Sequence, residues 1–176
     1  MFNQIVFTDK QINNFKSSGY LVIREGLSGD EVQKIKLWTD KLSNMPEESG
    51  KYWVYHEDSL LSKNKRLVNR IENIAAFHSG FRALTSNLKA PISQLLGEEA
   101  VLFKEKINFK LPGGAGFKPH QDSQAGWNSY AKFFVSALIS IDESTLENGC
   151  LEISGGHSSS KLYDSWRPIS NQNMKN

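Results

Sequence analysis

The chain has 176 residues, enough for one domain with a substantial core and short for two. Its 39% hydrophobic and 23% charged residues, with a formal net charge of +2, exclude a strongly charged disordered chain, and the interspersed lysines, arginines and acids exclude a basic stripe that would track nucleic-acid phosphates. The single cysteine, Cys150, excludes an internal disulfide framework and a cysteine-rich zinc site, and no stretch approaches the roughly 20 apolar residues of a membrane span, so a cytoplasmic protein with no nucleic-acid or membrane partner is expected.

In chain order, Thr8-Asp9 starts a helix with Ile12 and Phe15 on one face, and Gly19 closes it before a short strand over residues 20–23. Ser28-Gly-Asp-Glu31 is a capping box opening a second helix, with Val32, Ile35, Leu37, Trp38 and Leu42 on its buried face. Residues 45–50 read as a loop and residues 51–56 as an aromatic-rich strand. Residues 67–96 read as mostly helical, interrupted near Ser79-Gly80, with Leu84, Leu88, Ile92, Leu95 and Leu96 at helical spacing.

After Gly97 the composition turns strand-like, at residues 100–103 and 106–110, and the turn Leu111-Pro-Gly-Gly-Ala-Gly-Phe-Lys-Pro119 leads into His120-Gln121-Asp122. Residues 133–141 form a near-continuous apolar run, expected as a strand buried on both faces. A turn over residues 142–149, with Asn148-Gly149 at its tight point, precedes a further strand over residues 150–153. Helices packed on one side of short strands give an α+β domain whose β part is a sandwich or jelly roll.

His120 and Asp122 are the chemically informative pair. Residues i and i+2 of an extended segment project from one face, so imidazole and carboxylate can reach one ion. A mixed nitrogen and oxygen pair suits iron(II) with open positions once a second histidine joins it, although a turn histidine followed by a capping aspartate has the same spelling. Lys106 and Asn108 share a strand face, from which Lys106 offers an ammonium to an anionic co-substrate or substrate. Trp127, with Gln121 and Tyr130 as weaker candidates, is a candidate wall of the substrate pocket. His56 and His78 read as surface or core-edge histidines, and Cys150 as a small buried apolar residue.

Phe117-Lys-Pro-His-Gln-Asp122, followed by Val135-Ser-Ala-Leu-Ile-Ser-Ile-Asp142 and Glu147-Asn-Gly-Cys-Leu-Glu-Ile-Ser-Gly-Gly-His157, resembles the phytanoyl-CoA dioxygenase family. The resemblance implies an iron(II)- and 2-oxoglutarate-dependent oxygenase on a double-stranded β-helix (a cupin-like jelly roll), with N-terminal helices packed on one sheet and molecular oxygen as co-substrate. His120 and Asp122 match its first two metal ligands, and the carboxylate at Asp122 favours hydroxylation over halogenation. Asn108 matches an asparagine that lies beside 2-oxoglutarate in the ectoine hydroxylase branch. In the family the distal histidine follows a later strand, so His157 does not match a ligand position.

Family members continue beyond a segment like Trp166-Arg-Pro168 into strands carrying that histidine and an arginine for 2-oxoglutarate. The resemblance therefore implies an N-terminal portion of one oxygenase domain, residues 1–97 helix-rich and 98–176 the first strands of the jelly roll, with the C-terminal strands missing. As a truncated chain it is expected to bind iron weakly and to turn over no 2-oxoglutarate. A small polar metabolite is the preferred substrate. The competing readings are a non-catalytic jelly-roll binding module, a subunit completed by a partner, and a cupin-like isomerase.

Overall fold

A computed structural model describes residues 2–155, 162–170 and 172–174. Three α-helices and a three-stranded antiparallel sheet form its packed part: α1 (Asp9–Ser18), α2 (Gly29–Ser43), β1 (Trp53–Asp58), β2 (Arg66–Glu72), α3 (Ser79–Leu96) and β3 (Lys106–Asn108), in the sheet order β1-β2-β3. Two short 3₁₀ turns follow, Asp122–Ala125 and Trp127–Ser129.

The helix starts follow from local chemistry. Thr8 and Gln11 cap α1 reciprocally, and Ser28 and Glu31 do the same for α2, with the Ser28 amide donating to Glu31 Oε2 at 2.6 Å. Each box satisfies two amides that the first helical turn leaves without partners. Glu31 also accepts from the Asn3 amide at 2.6 Å, which ties the N-terminal strap to α2.

Alternation along the strands divides the sheet into two unlike faces. Val54, Ile71 and Ile107 lie side by side in register on one face. They pack with Ile35 and Leu42 of α2 and with Phe81 and Leu84 of α3, so Ile35, Leu42 and Ile71 are each only 1% exposed. The opposite face carries Trp53, Tyr55, Arg70, Glu72, Lys106 and Asn108, with Arg70 opposite Asn108 and Glu72 opposite Lys106. Helices on one face of the sheet, as expected, leave the polar face toward the chain that follows.

Gly80 at the start of α3 permits close contact between α2 and α3. A Cβ there would stand 2.6 Å from the Trp38 ring, which packs edge-on against Phe81.

Six segments differ from the sequence reading. Residues 66–72 are a strand rather than helix: Leu67 and Ile71, four apart, fit either period, and the ladders to β1 and β3 decide in favour of the strand. The aromatic strand begins at Trp53 rather than Lys51 because Lys51 closes the preceding turn on Glu48. Residues 20–23, 100–103, 133–141 and 150–153 form no ladder with the described residues. Strand composition alone does not make a strand; a neighbouring edge must take its amides and carbonyls. The apolar run is correspondingly not buried on both faces: Phe133 is 57% and Leu138 65% exposed, while Ile139 and Ile141 do pack against the core. The α+β class thus stands on a small antiparallel sheet. Within α2, Leu37 is exposed rather than buried, since it lies off the Ile35–Leu42 stripe.

Candidate metal centre

The glycine turn is fastened to the β1–β2 hairpin before the chain reaches His120. The Leu60 amide donates to the Gly113 carbonyl at 2.8 Å, and the Ala115 amide donates to Glu57 Oε2 at 3.1 Å. Gly113 adopts φ +89°, where a side chain is strained, and a Cβ at Gly114 would stand 2.7 Å from Glu57 Oε1 and 3.1 Å from the Leu111 carbonyl, so glycine suits both positions of this approach. Hydrogen bonds from Asn69 and Ala115 hold the Glu57 carboxyl below the usual carboxylate range.

His120 and Asp122 converge as expected, although not from a paired strand. Gln121 is extended (φ −100°, ψ 135°), and Asp122 then opens the first 3₁₀ turn. The extended residue keeps both side chains on one side, with His120 Nε2 3.6 Å from Asp122 Oδ1. His120 Nδ1 lies 2.7 Å from the Lys118 carbonyl, which can only accept, so Nδ1 is the donor in that contact and Nε2 is the nitrogen turned toward Asp122. Asp122 Oδ2 accepts from the Ser136 hydroxyl at 2.7 Å, leaving Oδ1 open. Both side chains stay accessible, at 48% and 40% exposed.

The donor set fits two positions of a metal. With bonds of about 2.0–2.2 Å, ligand atoms in adjacent positions stand about 3 Å apart, close to the spacing seen here. The described residues gather no group of three His, Cys, Asp or Glu side chains able to hold an ion. His157 lies outside the described residues.

Lys106 and Asn108 sit on the polar sheet face. Burial first and Lys104 second lower the Lys106 ammonium, while the Asp122 carboxylate opposes them, which places Lys106 within electrostatic reach of the candidate ligand. Asn108 Oδ1 is buried and meets no hydrogen-bond donor. An unpaired buried amide oxygen is costly, and it marks where a ligand's donor or a water would sit. The hairpin adds a residue that the sequence reading missed, Arg70, whose guanidinium lies 4.2 Å over the Tyr55 ring with Nε 3.0 Å from Glu72. That Nε contact is an ion pair by distance without hydrogen-bond alignment. The place of Arg70 on the sheet face was hidden by the helical reading of the segment, which only the ladders to β1 and β3 overturn.

Trp127 belongs to an aromatic cluster with Phe103 and Phe134, and Lys104 Nζ lies 5.1 Å over its ring. Tyr130 joins through Phe103. Gln121 and Gln124 hold the later segment: Gln121 Oε1 accepts from the Tyr163 amide at 3.0 Å, and buried Gln124 donates to the Asp164 and Arg167 carbonyls. Gln121 is thus engaged with backbone, and Trp127 with its aromatic neighbours and a lysine.

Comparison with known proteins bears on this site. A family model described as Phytanoyl-CoA dioxygenase (PhyH) matches residues 15–176. A 2-aminoethylphosphonate dioxygenase from Uncultured bacterium HF130_AEPn_1 is 40% identical over 160 residues, covering 90% of this chain and 61% of the relative. A methylphosphonate hydroxylase from Gimesia maris is 38% identical over 146 residues, covering 82% of this chain and 54% of the relative. A probable alpha-ketoglutarate-dependent hypophosphite dioxygenase from Stutzerimonas stutzeri is 28% identical over 171 residues, 90% of this chain and 56% of the relative. The chain spans between 54% and 61% of the length of these relatives. No solved structure matches it.

Proposed function

Because the chain belongs to the phytanoyl-CoA dioxygenase family, we propose that it serves an iron(II)- and 2-oxoglutarate-dependent hydroxylation of a small phosphonate. The observation that carries this reading is the convergence of His120 Nε2 and Asp122 Oδ1 beside a sheet face bearing Lys106, Asn108 and Arg70. The reading takes its substrate class from two relatives near 40% identity whose names specify phosphonates.

In this reading iron(II), with 2-oxoglutarate and molecular oxygen, supplies the oxidising power for C–H hydroxylation. His120 and Asp122 hold the ion, with Nδ1 of His120 fixed by the Lys118 carbonyl. Lys106 and the Asn108 side-chain amide N–H meet the co-substrate's carboxylate, with Asn108 Oδ1 left to accept from a water or a ligand donor. Arg70, held flat by Tyr55, offers its planar donors to the phosphonate, since a guanidinium suits a tetrahedral oxyanion with paired donors. Trp127 and its aromatic neighbours shield that end of the site from water, with Gln121 holding the adjacent loop. We place this within a single domain, residues 1–176, whose β part follows the cupin-like jelly roll of the family, in the cytoplasm. Among the described residues no helix is long and apolar enough to cross a membrane.

The experiment is anaerobic iron(II) binding by equilibrium dialysis, followed by admission of oxygen with 2-oxoglutarate and 2-aminoethylphosphonate. His120→Ala and Asp122→Ala should each abolish retained iron. Wild-type retention no better than either variant would reject the metal site. Succinate formation that depends on the phosphonate would support the substrate class. A non-catalytic binding module is the second reading, favoured by the lack of a third gathered ligand among the described residues; phosphonate binding independent of iron would support it.

A further inference from the structure

We propose that Ser136 is a positioning residue for the metal centre, setting which oxygen of Asp122 faces the ion. Its hydroxyl donates to Asp122 Oδ2 at 2.7 Å, while Oδ1 is the oxygen turned toward His120 Nε2 at 3.6 Å. This rests on the reading of His120 and Asp122 as ligands.

A carboxylate left alone rotates about its terminal bond and can present one oxygen or both. Binding through both would occupy a coordination position that a co-substrate needs. A hydroxyl donating to a carboxylate within about 2.5–2.7 Å makes a charge-assisted bond, strong enough to fix one rotamer. The bond occupies Oδ2 and leaves Oδ1 as the single oxygen offered.

The segment bearing Ser136 is anchored on both sides of that hydroxyl. Two residues before it, Phe134 packs against Phe103 and Trp127, with ring centroids 5.0 and 5.3 Å away. After it, Ile139 and Ile141 pack against the core, and Asp142 pairs with Lys36 of α2 at 2.5 Å. Ser136 is itself exposed, within an otherwise apolar Phe133-Phe-Val-Ser-Ala-Leu-Ile run. The anchors hold its Cα in place, so the hydroxyl, rather than the bulk of the side chain, is what matters to Asp122.

The test compares wild type, Ser136→Ala and Ser136→Thr for anaerobic iron(II) affinity and for the visible spectrum of the cobalt(II)-substituted protein, which reports coordination geometry. Circular dichroism first confirms that the variants fold, as the exposure of Ser136 predicts. Ser136→Ala should lose about 10–100-fold in metal affinity, the usual cost of removing a residue that orients a ligand, and should alter the cobalt spectrum. Ser136→Thr, which keeps the hydroxyl, should restore both. Wild-type affinity and an unchanged spectrum in Ser136→Ala would overturn the positioning role alone. Failure of the wild type to bind either metal would overturn the ligand assignment and the positioning role with it.

Discussion

His78 caps α3 with a ring nitrogen rather than with the usual hydroxyl or carboxylate, Nδ1 accepting from the Phe81 amide at 3.3 Å. An imidazolium has no lone pair left at Nδ1, so the cap exists only in the neutral ring. Burial between Trp38 and Phe81, and next the charge of Lys41, push the His78 pKa down. A folded-state value below the unfolded one means that this contribution is full above about pH 6.5 and is lost as pH falls through the folded value. The unfolding free energy from urea titration should therefore drop between about pH 7 and pH 5, by up to about 0.5–2 kcal/mol, the range for losing a cap. His78→Asn keeps an acceptor and should flatten the difference over that interval; an unchanged slope would assign the pH dependence elsewhere. At Arg70 the expected effect is on ligand rather than fold. A hydrogen bond to a charged group contributes roughly 1.5–3 kcal/mol, so Arg70→Ala should weaken 2-aminoethylphosphonate binding by about tenfold or more in calorimetry on the iron-loaded protein. Equal affinity would move the phosphonate off the sheet face.

Among the elements, the contact of α2 with α3 depends on the missing side chain at Gly80. Trp38 occupies the space that a Cβ would need, at 2.6–2.7 Å from three of its ring carbons. Gly80→Ala should lower stability by about 1–3 kcal/mol, the cost of overfilling a packed contact, even though alanine favours helix. A neutral or stabilising result in denaturant titration would show that the indole can shift. The same scale shows what the sequence could tell. The helix start at Thr8, the Ser28–Glu31 capping box and the Asn148-Gly149 turn were legible because they are set by residues three apart or fewer. The strand β2 was not, since spacing by four satisfies both periods and only the neighbouring strands, Trp53–Asp58 and Lys106–Asn108, decide between them. The His120–Asp122 pair was legible because one extended residue links its members. Arg70, Ser136 and the Lys118 carbonyl come from other segments or from backbone, which no local spelling announces.

For the whole molecule, backbone pairing is unevenly distributed. The sheet and α3 close their hydrogen bonds over a shared apolar core, whereas residues 133–141, the most apolar stretch, make no backbone hydrogen bond to another described residue. Hydrogen-bonded amides exchange only on local opening and unpaired exposed ones without it, so hydrogen exchange followed by mass spectrometry should separate these regions. Peptides from β2 and α3 should exchange slowest, and peptides covering residues 133–141 within the earliest times sampled. The jelly-roll proposal gives this contrast a second use. An apolar strand with free edges pairs with whatever edge is supplied, so in a complete barrel the same residues would be laddered and protected. Early exchange in the 176-residue protein would mean that the His120–Asp122 pair is held by the Ser136 hydroxyl, the aromatic cluster and the Lys36–Asp142 ion pair rather than by a sheet. Iron(II) should then slow exchange around residues 120–136 far more than in β2, because ligation adds a constraint where the backbone supplies few. Slow exchange over residues 133–141 without metal would instead show a laddered strand there, with the jelly roll formed before any ion binds.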